Sequence, residues 1–267
     1  MKKIEEVGDL NDKRVLLRLD LNVPLNGNEI TDTTRIDKIL PTLKFLIQKN
    51  SKIIIISHIG RPKGIVDKKL SMSPVCKYLS KKLNKEIELL EKKIFDIDSS
   101  EIFKNDKNRI LFLENIRFYE QEEKNNEEFA KLLSSFGDIY INDAFSCSHR
   151  KQTSIHKITK YIKNSYAGPL FMKEIHSISL VLNNKKNPTT CIIGGSKITT
   201  KLGVITSLIK KVDNLIIVGA MANNFVKFMG NNVGKSLIEK GTEKVIKEIY
   251  NLAKQNNCQI ITPIDLA

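Results

Sequence analysis

Residues 53–64 read IIIISHIGRPKG. Four isoleucines form an apolar run, and the chain turns at once to His58, Gly60, Arg61 and Lys63. An imidazole and a guanidinium at the end of a buried strand suit one task well, holding a phosphate or carboxylate. Three other runs end the same way. RVLLR (14–18) leads into LDLNVPL, with Asp20 and Asn22 at i, i+2 spacing. RILFL (109–113) leads into ENIRF with Arg117, and DIYI (138–141) into NDAFSCSHR with His149 and Arg150. Arg35 stands at the head of the helical segment that follows the first loop.

The order of elements says where these residues should meet. Short β-branched runs recur at 14–18, 52–56, 109–113, 138–141, 191–193, 214–218 and 259–262, with helical patterns between many of them. RIDKILPTLKFLIQKN puts Ile36, Ile39, Leu40, Leu43, Leu46 and Ile47 on one stripe, with Pro41 expected to kink the helix or mark its true start. SPVCKYLSKKL predicts Ser73 as N-cap and Pro74 as the first helical residue, and NNEEFAKLLSSFG predicts a helix stopped at Gly137. The pattern is that of an α/β protein with mainly parallel sheets flanked by helices. Ligands of such sheets bind beyond the carboxyl ends of the strands. Arg35, His58, Gly60, Arg61, Arg117 and Arg150 are therefore expected to surround one small, highly anionic ligand, with Asp20 and Asn22 holding its hydroxyl group. Any one of these side chains alone could merely close a loop, and His149, His156 and His176 are read that way.

Composition narrows the alternatives. The chain has 267 residues, a length for one large or two smaller domains, and a net charge of +14. Of its 44 basic residues only seven are arginine, all before residue 151, and the rest are lysines spread along the chain. Arg14, Arg18 and Arg109 are read as surface ion pairs. With no tryptophan and no basic block interleaved with aromatics, nucleic acid is not the expected partner. No apolar run is long enough to suggest a membrane span, and MKKIEEVGDL carries acidic residues where a secretory signal would be apolar. The four scattered cysteines (Cys76, Cys147, Cys191, Cys258) are expected to be reduced thiols in the cytoplasm, with no metal-ligand spacing.

The second half carries a different anion signal. CIIGGSKITTKLGVI runs from a strand through Gly194 and Gly195 to a helix whose first turn holds Thr199 or Thr200 and Lys201, with Lys197 four residues before Lys201. Glycines let backbone approach a phosphate and a helix N-terminus favours negative charge. The segment is neither a Walker nor a dinucleotide motif. LIIVGAMANNF repeats the strand–glycine–helix arrangement at Gly219, and two ordinary strand-to-helix turns remain an equal reading.

Taken together, LRLDLNVPL, TRIDKILPT, SHIGRPKG, LENIRFYEQEEKN, INDAFSCSHR, SYAGPLFMKEI, IIGGSKITTKLGVI and LIIVGAMANNFVKFMG resemble the phosphoglycerate kinase family, in order and through essentially the whole chain. The resemblance implies two Rossmann-like domains that close by a hinge, and reversible phosphoryl transfer between 1,3-bisphosphoglycerate with ADP and 3-phosphoglycerate with ATP. It implies a first domain at 1–168 for 3-phosphoglycerate, a connecting helix and hinge at 169–187, and a nucleotide domain at 188–267. Asp20, Asn22, Arg35, His58, Gly60, Arg61, Arg117 and Arg150 match the substrate side. Gly195, Lys197, Lys201 and Gly219 match the nucleotide side, and Arg35 and Lys197 match the residues that stabilise the transferring phosphoryl. In the connecting helix, Lys173 and Glu174 are expected only to solvate one face.

Two departures temper this. In VGAMA, Val218 and Ala220 flank Gly219 where the family often has glycines. QIITPIDLA matches a strand in the middle of the family's second domain, so that domain is expected to be incomplete, with the family's protein ligand for Mg2+ beyond residue 267. The metal is then carried by the nucleotide, and no residue here is assigned to it. The second half is expected to expose an unpaired sheet edge and to be cut by protease before residues 1–168. Three readings stay open: a monomeric kinase acting on small molecules, a chain that binds 3-phosphoglycerate without transferring phosphate, and a basic nucleic-acid-binding α/β protein.

Overall fold

The computed structural model describes residues 2–104, 109–183 and 188–264. Residues 184–187 of the expected connecting segment and 265–267 of the final run lie outside the described residues. The chain divides into two compact units, Met1–His176 and Ser177–Ala267.

In the first unit the strands are β1 (Arg14–Leu19), β2 (Leu25–Asn26), β3 (Glu29–Ile30), β4 (Lys52–Ile56), β5 (Glu88–Leu90), β6 (Ile110–Leu113), β7 (Ile139–Asp143) and β8 (Ser165–Ala167). Helices α1 (Thr34–Gln48), α2 (Ser73–Leu83), α3 (Glu120–Glu123) and α4 (Glu127–Ser135) lie between them, and α5 (Pro169–Asn183) follows. Six strands form one sheet in the order β5-β6-β4-β1-β7-β8, every pair parallel, while β2 and β3 make a small hairpin. The apolar runs are continuous because both faces of the sheet are covered. Val15, Leu17, Leu19, Ile53 and Ile55 pack with α1 and α2 residues such as Ile39, Leu43, Val75 and Leu79. The alternating set Leu16, Ile54, Ile56, Leu111 and Leu113 packs on the other face with Phe129 and Leu133 of α4. Ile53 to Ile56 are fully buried.

Several local expectations shift. Pro41 lies inside α1, which begins at Thr34 rather than at the proline. Pro41 and Asp37 are both exposed, so the carbonyl that loses its amide partner is on the watered side of the helix. The N-cap of α2 is Met72, and Ser73 is already helical. Asn126 caps α4 by accepting from Phe129 N, as the acidic start suggests, but Phe136 closes the helix and Gly137 has no left-handed backbone. A Cβ on Gly137 would stand 2.8 Å from Leu16 Cβ, so this glycine serves close approach to β1. Strands β5 and β8 and the hairpin are additions to the elements expected from the sequence.

In the second unit β9 (Thr190–Gly194), β10 (Asn214–Val218) and β11 (Gln259–Ile261) form a parallel sheet in the order β11-β10-β9. Helices α6 (Leu202–Ile209), α7 (Ala220–Phe228) and α8 (Glu243–Gln255) bury Ile205, Ile209, Met221, Phe225, Ile246 and Ile249 against Leu215 and Ile217. Ile192 on β9 is 66% exposed.

Asp143 ends β7 with no exposed surface and joins three elements. Its carboxylate accepts from Thr42 Oγ1 of α1 at 2.5 Å and from Phe171 N in the first turn of α5 at 2.8 Å. Burial pushes its pKa up, and these hydrogen bonds oppose the rise. A Cβ on Gly168 would stand 2.3 Å from Asp143 Cγ. Gly168→Ala should therefore displace this carboxylate and destabilise the first unit by about 1–3 kcal/mol; a urea midpoint equal to that of the wild type would contradict the assignment.

Candidate anion-binding site

The first sheet is doubly wound. From β1 the chain builds β4, β6 and β5 to one side, then returns to β7 on the other. The switch point lies between the carboxyl ends of β1 and β7, where such sheets hold ligands. Asp20 follows β1 there, and its Oδ2 accepts from Arg35 Nη1 and from Ser146 Oγ, beyond β7. Asp20 is largely buried while Arg35 keeps 47% of its side chain exposed, so the carboxylate holds a guanidinium that still faces water. A cleft of about 240 Å³ beside them is lined by Asp20, Arg35, Lys38, Ser146 and Glu174, among others. Glu174, expected only to solvate a helix face, is half-buried and belongs to this wall.

The next strand ends close in from the other side. Asn22 Oδ1 accepts from Gly60 N at 2.9 Å, and Arg117 Nη1 donates to Gly60 O at 2.8 Å. Gly60 has φ +65, and a Cβ there would meet Leu70 at 2.9 Å, so a glycine is required where these loops cross. Arg117 is 3% exposed, and its buried Nε has no hydrogen-bond partner. Burial and the neighbouring Arg18 and Arg150 pull its pKa down.

His58 is also 3% exposed and holds a pKa of about 2. Burial is the first cause, followed by the positive charges of Arg18, Arg117, Arg150 and Arg35. The structure thus brings Asp20, Asn22, Arg35, His58, Gly60, Arg117 and Arg150 together at the ends of β1, β4, β6 and β7. Arg61 is exposed, and His58 is not among the groups its charge is seen to act on. Arg14 and Arg109 do form ion pairs with Asp138 and Asp12, both partly exposed. Arg18 does not: it is fully buried and contacts Ser154 Oγ at 2.9 Å and His58 Nδ1 at 3.1 Å. A strand buried on both faces leaves no position for an exposed arginine, and that rule was the available signal.

The second unit arranges its glycine turns as follows. Gly195 O accepts from Met221 N at 2.7 Å, and a Cβ on Gly219 (φ +70) would meet Gly195 backbone at 3.4 Å. Lys201 lies over Gly195, whose added Cβ would stand 2.5 Å from Lys201 Cε, while Lys197 is exposed. Thr199–Lys201 form a 3-10 turn, and α6 proper begins at Leu202. The amides expected to face a phosphate have a partner within the chain. Glu239 accepts from Ile198 N at 2.7 Å, from Thr199 N at 3.3 Å and from Thr199 Oγ1. These hydrogen bonds, Thr199 first, hold its carboxyl below the usual range. Among the described residues no cluster of three His, Cys, Asp or Glu side chains could hold a metal. No described helix is long and apolar enough to cross a membrane.

Fold and site define a doubly wound α/β protein with a cluster of guanidinium groups around a buried imidazole at the switch point of its first sheet. The chain belongs to the phosphoglycerate kinase family, which matches residues 4–267. It is 44% identical over 258 residues to a phosphoglycerate kinase of Wolbachia sp. subsp. Drosophila simulans, covering 97% of this chain and 64% of that protein. A phosphoglycerate kinase of Dictyoglomus turgidum is 43% identical, again with 64% of its length covered. The solved phosphoglycerate kinase from Coxiella burnetii superimposes with a TM-score of 0.84 at 35% identity, over 98% of this chain and 66% of that one. The chain thus spans just under two thirds of the length of these relatives.

The buried imidazole has a thermodynamic consequence. Unfolded, His58 takes up a proton near pH 6.5; folded, it stays neutral down to about 2. Below pH 6.5 the unfolded chain therefore binds the extra proton, and stability falls as pH falls. The expected loss is roughly 1.4 kcal/mol per pH unit between 6.5 and 4.5, absent in His58→Gln. Parallel pH dependence of the two proteins in chemical denaturation would contradict a buried neutral His58.

Proposed function

We propose that the first unit binds 3-phosphoglycerate and that the chain serves phosphoglycerate kinase chemistry. One observation carries this: the guanidiniums of Arg18, Arg35, Arg117 and Arg150 and a neutral imidazole crowd one switch point, with the carboxylates of Asp20 and Glu122 set among them. Such a cluster gains most from a small ligand with several negative charges. Arg35, Arg61, Arg117 and Arg150 supply charge for the phosphate and carboxylate, His58 a hydrogen bond, and Asp20 and Asn22 an orientation for the hydroxyl. On the nucleotide side Gly195, Lys201 and Gly219 would approach ATP or ADP carried with Mg2+, with Lys197 beside the transferring phosphoryl.

In the transfer, a carboxylate oxygen of 3-phosphoglycerate attacks the γ-phosphorus of ATP and ADP leaves, giving the acyl phosphate. No general base is needed, because the carboxylate is already ionised. The residues would contribute positioning and charge neutralisation, Arg35 within the first unit and Lys197 within the second. A second reading, binding without transfer, is favoured by Glu239, which already occupies the amides of residues 198 and 199.

Calorimetric titration with 3-phosphoglycerate tests the reading. Saturable binding is expected, weakened about 10- to 100-fold in Arg35→Ala, as loss of a charge-assisted contact requires. Equal affinity of the two proteins, or no binding by the folded wild type, would contradict it. Acyl phosphate formed from ATP and 3-phosphoglycerate supports transfer; binding without product supports the second reading.

A further inference from the structure

We propose that Glu122 is a positioning residue for the anion site: through the Ser154 hydroxyl it fixes the Arg18 guanidinium, which in turn fixes His58 as the tautomer that carries its proton on Nε2. The ligand effect of this linkage rests on the function proposed above; the linkage itself does not.

Glu122 sits in the one-turn helix α3, inside the acidic run EQEE, yet has no exposed surface. The segment Thr153–Ser154 folds onto it. Ser154 N donates to Glu122 Oε2 at 2.8 Å and Ser154 Oγ donates to Oε1 at 2.6 Å. Thr153 N donates to the Glu122 carbonyl at 2.9 Å, and Tyr140 Oη donates to Ser154 O at 2.6 Å, so Ser154 is held by its backbone as well. Both carboxylate oxygens are acceptors, the arrangement of an ionised group. Burial raises its pKa, and the nearby Arg18 and the two Ser154 hydrogen bonds oppose the rise.

Donor and acceptor counting fixes the rest. A guanidinium only donates, so Arg18 Nε at 2.9 Å gives its proton to Ser154 Oγ. The hydroxyl has one proton, and it is committed to Glu122. Arg18 Nη1 donates to Leu19 O, which leaves Nη2 aimed at His58 Nδ1 at 3.1 Å. Because Arg18 cannot accept, Nδ1 must be the lone-pair nitrogen, and the single imidazole proton sits on Nε2.

The charges that act on His58 most strongly are cationic: Arg18 from β1, Arg35 from α1, Arg117 from the loop after β6 and Arg150 from the loop after β7. The carboxylates of Asp20 and Glu122 are taken up by Arg35 and, through Ser154, by Arg18. The imidazole therefore offers an anion a directed N–H without adding a fifth charge. Glu122 supplies the buried negative charge that lets Arg18 stand inside the sheet.

Long-range 1H–15N correlation of the imidazole nitrogens in the whole chain without ligand, from pH 5 to 8, reads the tautomer directly. A lone-pair Nδ1, a protonated Nε2 and no titration are expected. A protonated Nδ1, or a midpoint near 6.5, would overturn the proposal. In Glu122→Gln and in Ser154→Ala the His58 nitrogen shifts should move toward tautomer averaging, and 3-phosphoglycerate affinity should fall about five- to tenfold. Ser154→Thr, which keeps the hydroxyl, should retain the wild-type shifts. A folded Glu122→Gln or Ser154→Ala protein with the wild-type His58 spectrum would also overturn it. The expected wild-type spectrum without any binding of 3-phosphoglycerate supports the linkage and overturns only the ligand assignment.

Discussion

Like charges held close together at low hydration are the constraint on which the first unit is built. Two unit charges 4 Å apart at an effective dielectric of about 20 repel by roughly 4 kcal/mol, and here Arg18, Arg35, Arg117 and Arg150 all act on one imidazole. Packing must hold them there. Isoleucine-rich strands buried on both faces leave the carboxyl ends no freedom to splay, and three of the four cations are tied by separate devices. Arg35 is held by Asp20, Arg117 by the Gly60 carbonyl, and Arg18 by Ser154, with Glu122 behind it. An anion bound there, as proposed, would relieve repulsion among these cations and so stabilise this unit.

The second unit follows a different logic. Its glycine turns bring the backbone after β9 and β10 into contact, and its lysines are solvated or laid along the turn. Glu239, itself held by Asn224 Oδ1 accepting from Glu239 N at 2.8 Å, gives the Gly195–Lys201 turn an internal anion where a phosphate was expected. An approaching phosphate would meet side-chain ammonium groups and Gly195 before it met those amides.

Much of this was legible in the residues. A run such as KIIII followed by SHIGRP states both a doubly buried strand and what it points at, because parallel strands end at the ligand face. The convergence of Asp20, Asn22, Arg35, His58, Arg117 and Arg150 follows from that rule alone. Arg18 was legible in principle and misread: it alternates with Leu17 and Leu19 in a strand with no solvent face. Glu122 was not legible, since nothing in EQEE separates the one carboxylate that turns inward from the exposed Glu120 and Glu123; only the 152–154 segment, folded back onto it, makes the difference. Strands as short as Ser165–Ala167 carry too few residues for a period to show, and Pro41 misled because an exposed carbonyl can do without its amide.

The central claim is that four strand ends form one anion site. Amide chemical-shift mapping on addition of 3-phosphoglycerate tests it most directly. The account predicts that residues 20–22, 58–61, 115–117 and 148–150 shift together along one saturation curve. Shifts scattered over the lysine-bearing helix faces, or confined to the Gly195–Lys201 turn, would contradict it.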